Sequence, residues 1–332
     1  MNMPRNRGFG LIEMMVSLAL GLLVVGAACA LFLTTHQTNG SSDNLSRVQE
    51  SVRTSYDLMT REVREAGGTP CDAQLLAADV LSNGQGATPT WWATWGEPLR
   101  GYDGNTAFDG VAFGAGVGAR VAGTAALAVR YAPALDNLAV SAHDTGTQTI
   151  TANRLNHGLS AGDLVMVCNY KQAAIFQLSA TNIANGTFQH RMGGNAPGNC
   201  SPGLGLPTVC AAPGNVFQFS SGSLIGRYTP AAWYIGNNGR PESGGRSLYR
   251  MTSLGAEEVA DGVRDMQLGF LVTGGVDYVP AAAVADWSRV MAVRFDISYE
   301  GPDVNSSTVP GANGARMTRG VGFTVNLRNL QP

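Results

Sequence analysis

The chain has 332 residues, 44% of them hydrophobic and 14% charged, with a formal net charge of −2. That length supports one large domain or two modest ones with a real core, and the near-neutral balance gives no field favouring nucleic acid or an anionic membrane surface. Glycine, at 43 residues, exceeds the usual share of about 7% without a collagen repeat, which suits short strands joined by many turns and argues against an all-helical protein.

Residues 1–8, MNMPRNRG, carry Arg5 and Arg7 and no acid. An apolar run follows over residues 9–35, with a single charge in it, Glu13. The run is longer than the roughly 20 residues that a membrane-spanning helix requires. Its basic flank predicts a cytoplasmic amino terminus, with everything after residue 35 on the outer side. An ordinary secretory signal would have a shorter apolar core ending at a small-residue cleavage site. Here the run continues past Ala27, Ala28 and Ala30 through Leu31, Phe32 and Leu33. A plain signal anchor fits the length but gives no reason for Glu13.

A carboxylate in hydrocarbon costs on the order of 2–3 kcal/mol or more, so such groups are usually paired and functional. No Lys, Arg or His lies between Gly8 and His36. A cut between Gly8 and Phe9 would create the missing cation, a new terminal amine at membrane depth. The helix is expected to carry Glu13 away from its own terminus, so the amine of a neighbouring subunit is the expected partner. At ~4 Å and an effective dielectric near 20 the pair attracts by ~4 kcal/mol, before desolvation is subtracted. Cleavage would then switch on self-assembly.

Over residues 36–66 the polarity changes but the helical period persists. Leu45, Val48, Val52, Tyr56, Met59 and Val63 recur at spacings of three and four, with charged residues between them. This predicts an amphipathic continuation of the same helix, ended by Gly67, Gly68 and Pro70. Gly40 and the polar cluster at 39–42 leave an interruption open. A continuous helix over 9–66 would be about 85–90 Å long, far more than a membrane needs. Residues 67–332 then form a β-rich head on the outer side.

Five cysteines are present. Cys29, inside the apolar run, reads as a small buried hydrophobe. Cys71, Cys168, Cys200 and Cys210 all follow the run, and an even number there fits two disulfides in an oxidising compartment. Their spacings contain no C-x-x-C pair of the kind a metal site uses. Three pairings are possible. Cys200 with Cys210 is preferred, because the Gly/Pro-rich segment between them turns back easily, and that leaves Cys71 with Cys168.

Strand signals are clear in the head. Met291, Val293, Phe295, Ile297 and Tyr299 alternate with polar or small residues, as do Val321, Phe323, Val325 and Leu327. Met266, Leu268, Phe270 and Val272 make a third strand, and Leu127, Val129 and Tyr131 a fourth. Segments 164–167 and 174–178 are expected to pair as a fifth and sixth. Segments 80–125 and 192–245, rich in Gly, Pro, Asn and Ser, read as long loops or insertions. Their aromatics Trp91, Trp92, Trp95, Phe108 and Phe113 read as a satellite core. The predicted class is α+β, a long amino-terminal spine helix packed on an antiparallel β-rich head.

The amino-terminal stretch RG-FGLIEMMVSLALGLLVVG resembles the class III signal of type IV pilins and type II secretion pseudopilins. The resemblance implies that a prepilin peptidase cuts after Gly8, that Phe9 becomes the N-methylated first residue, and that Glu13 is the fifth residue of the mature chain. Gly10 and Met14 depart from the commoner Thr or Ser and Leu. A weaker resemblance covers residues 123–332: GTAALAVRYA, SLYRM, VADGVRDMQLGF, DWSRVMAVRFDISYE and GFTVNLRN are similar to PilW-like minor pilins, and in layout to the J-type minor pseudopilins. It implies a low-abundance subunit that primes or caps a pilus near its tip, or the equivalent subunit of a type II secretion system. Implied partners are the prepilin peptidase, other minor pilins and the major pilin through the helix, and the inner-membrane assembly platform.

Catalytic signals are weak. No H-E-x-x-H, G-x-S-x-G or Walker loop occurs. The glycines at 114, 116 and 118 follow a strand-like VAF without a helix behind them, and read as a loop. His36, His143, His157 and His190 have no ligand spacing, and the aspartates form no EF-hand pattern. Basic residues are not interleaved with aromatics, so no nucleic-acid partner is expected. The expectation is a structural subunit with no cofactor; an anchored periplasmic enzyme or ligand-binding domain is the contrasting class.

Overall fold

The computed structural model describes residues 10–71, 75–82, 90–194, 197–301 and 316–330. One helix, α1 (Leu11–Glu65), runs unbroken for 55 residues, about 80 Å. The polar cluster at 39–42 does not interrupt it. Hydroxyls along it, those of Thr34, Thr38, Ser46 and Ser55, donate to the carbonyl four residues back, so they are satisfied without breaking the ladder.

The helix ends where expected, by a device built from three parts of the chain. Gly67 takes a left-handed φ of 74° and donates its N–H to Arg130 O. The Gly68 N–H returns to Glu65 O at 2.7 Å. The Asn329 amide, from the far end of the chain, donates to the carbonyls of Glu65 and Ala66 at 3.3 Å each. The orphan acceptors of the last turn thereby find partners.

Residues 10–36 are all exposed. Burial against the head begins at Asn44 and follows Val48, Ser55, Met59, Val63 and Ala66, with Val52 half-buried. The buried stripe is therefore turned slightly from the expected one. Leu45 and Tyr56 lie on its margin, and the Tyr56 ring packs edge-on against Phe323 at 5.0 Å. Small Ser55 and Ala66 on the inner face let the helix approach closely, which apolarity alone does not reveal.

Two antiparallel sheets receive that stripe. One has the spatial order 255–261, 246–252, 229–237, 126–131, 99–102. The other is a meander of Val263–Val272, Val290–Glu300 and Thr318–Asn326. Met59 and Val63 of α1 share one core with Leu127, Trp233, Met266, Phe270, Phe295 and Ile297. The strands read from two-residue alternation at 290–300 and 318–326 lie where expected. The expected loop at 192–245 does not stand. It contains the strands Leu224–Arg227 and Thr229–Asn237, and the second is the central strand of the five-stranded sheet. Its run Ala231, Ala232, Trp233, Tyr234 and Ile235 is buried on both faces, so it lacks alternation, and flanking Gly, Pro and Asn hide it in composition. The segment 80–125 likewise contributes the edge strand Leu99–Tyr102.

A third sheet, of eight strands, is an insertion. Ala126–Tyr131 and Thr229–Asn237 are hydrogen-bonded neighbours, yet most of the chain between them folds away into strands ordered 173–177, 164–168, 224–227, 134–144, 149–152, 187–189 and 180–182, with Ala77–Asp79 added in parallel at the edge. It has its own core, including Leu138, Val140, Ile150, Val167, Phe176, Phe188 and Phe219. The expected pairing of segments five and six is present in register Leu164↔Gln177 to Cys168↔Ala173. Trp91 and Phe108 are buried with Tyr102, Tyr234 and Tyr249 as the satellite core, against which Trp92 packs half-buried.

Candidate functional site

Glu13 is the only charged side chain from Gly10 to Thr35. It sits in the first turn of α1 and accepts the Gly10 N–H through Oε2 at 3.0 Å. Gly8 and Phe9 lie outside the described residues. The carboxylate is turned back towards the amino end of its own helix. The bond closes the first turn of the helix with one of its own side chains. Among the described residues no cation reaches Glu13.

The helix around Glu13 is uncovered. Leu11 is 81% exposed, and Met14, Val16, Leu18, Leu22, Val25 and Phe32 all stand free of the head. Cys29, expected to be buried, is exposed and unpaired. The stretch is long and apolar enough to cross a membrane, and its most apolar part is not buried at all. Such a surface is stable only in lipid or against other apolar helices. Chemically this half of the molecule can insert and pack.

The other half of α1 is fastened to the head by a polar cluster that the sequence pattern does not single out. Glu62, 7% exposed, faces the five-stranded sheet. It accepts from Trp233 Nε1 at 2.8 Å, Tyr131 Oη at 3.1 Å and Arg250 Nε at 2.8 Å, and Arg250 closes the ion pair through a second nitrogen at 2.7 Å. Burial, with the Glu62 charge beside it, pushes the Tyr131 phenol above its ordinary range. Burial disfavours the Arg250 charge, but the hydrogen bond and charge of Glu62, together with the hydrogen bond to Glu257, outweigh it and hold the guanidinium above its usual value. In sequence Glu62 is one of several charges between apolar positions; only its neighbour Val63 hints that it faces inward.

The histidines are closer than their spacing suggests. His143 and His190 meet in the insertion with Nε2···Nε2 at 2.9 Å. His143 Nδ1 accepts the Phe219 N–H at 3.1 Å, which assigns the His143 proton to Nε2 and makes His190 Nε2 its acceptor. Burial depresses both imidazoles, His143 to about 4 and His190 to about 3, with the neighbouring His143 adding to the effect on His190. No group of three or more His, Cys, Asp or Glu able to hold a metal occurs among the described residues.

The four head cysteines are joined as Cys71–Cys168, with Cα atoms 6.1 Å apart, and Cys200–Cys210, at 4.8 Å. The first ties the segment just after α1 to strand Leu164–Cys168 of the inserted sheet. The second closes a loop within the insertion.

The model of the prokaryotic N-terminal methylation motif matches residues 3–28. This stretch contains Gly8, Phe9 and Glu13 and the first part of the uncovered helix, and the motif is the signal carried by type IV pilins and pseudopilins. No curated protein and no solved structure matches the chain.

Proposed function

We propose that this chain is a minor pilin of a type IV pilus, anchored in the inner membrane as a precursor with its head in the periplasm. Prepilin peptidase cuts it between Gly8 and Phe9, and the mature chain enters a filament through α1. The reading rests on one conjunction: a methylation motif over residues 3–28 heads a 55-residue helix whose apolar half is exposed and packs on nothing among the described residues. After cleavage the Phe9 amine and Glu13 carboxylates meet between subunits, each offsetting the other's cost in an apolar setting. The weaker resemblance of stretches within residues 123–332 to PilW-like minor pilins, shared in layout with J-type minor pseudopilins, fits either machine, and the ending GFTVNLRN favours the pilus and a place near its tip. The apolar first half of α1 serves as membrane anchor and then filament core, residues 36–66 as the link, and residues 67–332 as the displayed head.

The decisive measurement is mass spectrometry of the mature amino terminus. A chain beginning at N-methylated Phe9 is expected, and Gly8→Val should accumulate the uncut precursor in the inner membrane. A mature protein starting elsewhere overturns the reading. Recovery from sheared pili, against a type II secretion pseudopilus, then separates the two machines.

A further inference from the structure

Residues 200–223 form neither helix nor strand, yet Leu204 and Phe219 are buried in the core of the inserted sheet, with Leu206 and Phe217 half-buried against it. The segment carries no charged residue, histidine or tyrosine. It is anchored at its two ends by the Cys200 N–H on Val80 O and the Val140 N–H on Ser223 O, each at 2.8 Å. Between these anchors it covers the imidazole pair. Pro202 lies near His190. The Phe219 N–H donates to His143 Nδ1 at 3.1 Å, the Gln218 amide donates to His143 O at 2.8 Å, and the Phe219 ring stacks on the His143 ring at 6.1 Å.

The tie to Phe219 and the Nε2···Nε2 contact at 2.9 Å coexist in one protonation state only. Neutral His143 accepts at Nδ1, so it carries its proton on Nε2 and gives it to the lone pair of His190 Nε2. A further proton on His190 Nε2 sets two N–H groups head-on. A further proton on His143 goes to Nδ1 and meets the Phe219 N–H. Either route breaks one of the two bonds and leaves a cation that no buried carboxylate among the described residues faces. On the strand of His143, Asp144 is exposed and turned to Gly146 and Thr147, and Asp136 is exposed near the other end. Arg191, next to His190, is exposed, and His157 packs on Phe188 instead. Strands Thr149–Ala152, Leu164–Cys168, Ala173–Gln177 and Thr187–Gln189 carry no charged residue.

We propose that the His143–His190 pair is a proton-released clasp: acid lifts residues 201–222 from the inserted sheet as one unit, uncovering Phe217, Phe219 and the core beneath them while α1 and the five-stranded sheet stay folded. Only head residues take part, so the clasp stands apart from the filament reading. Burial holds both imidazoles below their ordinary range. The segment is therefore closed above about pH 6.5, and below it the opened form binds more protons, gaining up to about tenfold per pH unit for each imidazole.

Hydrogen exchange of the full chain in detergent, read by mass spectrometry and corrected for the intrinsic rate at each pH, tests the clasp. Protection in peptides covering 201–222 should fall about fiftyfold between pH 6 and pH 5, with strands Thr229–Asn237 and Val290–Glu300 unchanged. Unchanged protection in 201–222, or an equal loss in those two strands, overturns the proposal. His190→Gln keeps an acceptor for the His143 Nε2–H but takes up no proton, and should reduce the fall to about sevenfold; a full fall in this variant removes His190 from the device. Should the variant not fold, nitrogen-15 NMR of histidine-labelled wild type decides the same point. His143 with its proton on Nε2 is expected, and a proton on Nδ1 instead sinks the clasp.

Discussion

Two carboxylates on one helix do opposite work. Glu13 stands in an apolar, uncovered stretch and, among the described residues, has only the Gly10 N–H as a side-chain partner, so it remains available for a charge from elsewhere. Glu62 is fully engaged by Trp233, Tyr131 and Arg250 and has nothing left to offer a partner. Glu13→Ala should therefore leave folding and cleavage intact while incorporation into sheared pili falls about tenfold or more, since even a partly screened charge pair exceeds the ~1.4 kcal/mol that factor represents. Glu62→Gln should show the reverse, a head destabilised by about 2–3 kcal/mol because Arg250 keeps a half-buried charge with only the exposed Glu257 for relief. Urea unfolding followed by tryptophan fluorescence would measure it, and an unchanged midpoint would mean the cluster only tolerates Glu62.

At the scale of elements, the junction between helix and head depends on a left-handed glycine. Gly67→Ala places a Cβ 2.9 Å from Leu330 Cδ2 at a φ of 74°, and should cost about 1–2 kcal/mol. The loss should appear as fraying of the last turn of α1 by hydrogen exchange, because the Asn329 amide then loses its grip on the carbonyls it caps. Pro70 and the glycine pair made this helix end legible in sequence. Asn329, about 265 residues away, did not, since capping from a distance leaves no local pattern. The hidden strand Thr229–Asn237 is the same lesson for sheets: alternation marks strands with one wet face, and this one has none.

At the scale of the whole molecule, the inserted sheet is attached by its two hairpin strands and by Cys71–Cys168, which spans 97 residues. Replacing both cysteines by serine should cost up to about 4.7 kcal/mol by the entropy of closing so long a loop. Limited proteolysis should then cut first in the insertion rather than in the helix-bearing core. The same module should be acid-sensitive. Its two imidazoles are depressed in the folded state, so the unfolded chain takes up protons first as pH falls. Stability is complete above about pH 6.5 and declines towards pH 4, by up to about 1.4 kcal/mol per pH unit for His190. Thermal melts at pH 7.5, 6 and 5 would show it, and His190→Phe should flatten the dependence.

The methylation motif over residues 3–28 and the apolar half of the helix were legible from the sequence because their signal is local, contained within about thirty residues. The strands with one wet face and the ends of the helix were legible for the same reason. Tertiary structure alone decided that Glu62 is buried, that His143 and His190 touch across 47 positions, and that a second sheet interrupts a hairpin. Each of these is a meeting of residues distant in sequence, and burial and charge pairing depend on what the folded chain brings within a few ångströms, which no local periodicity encodes.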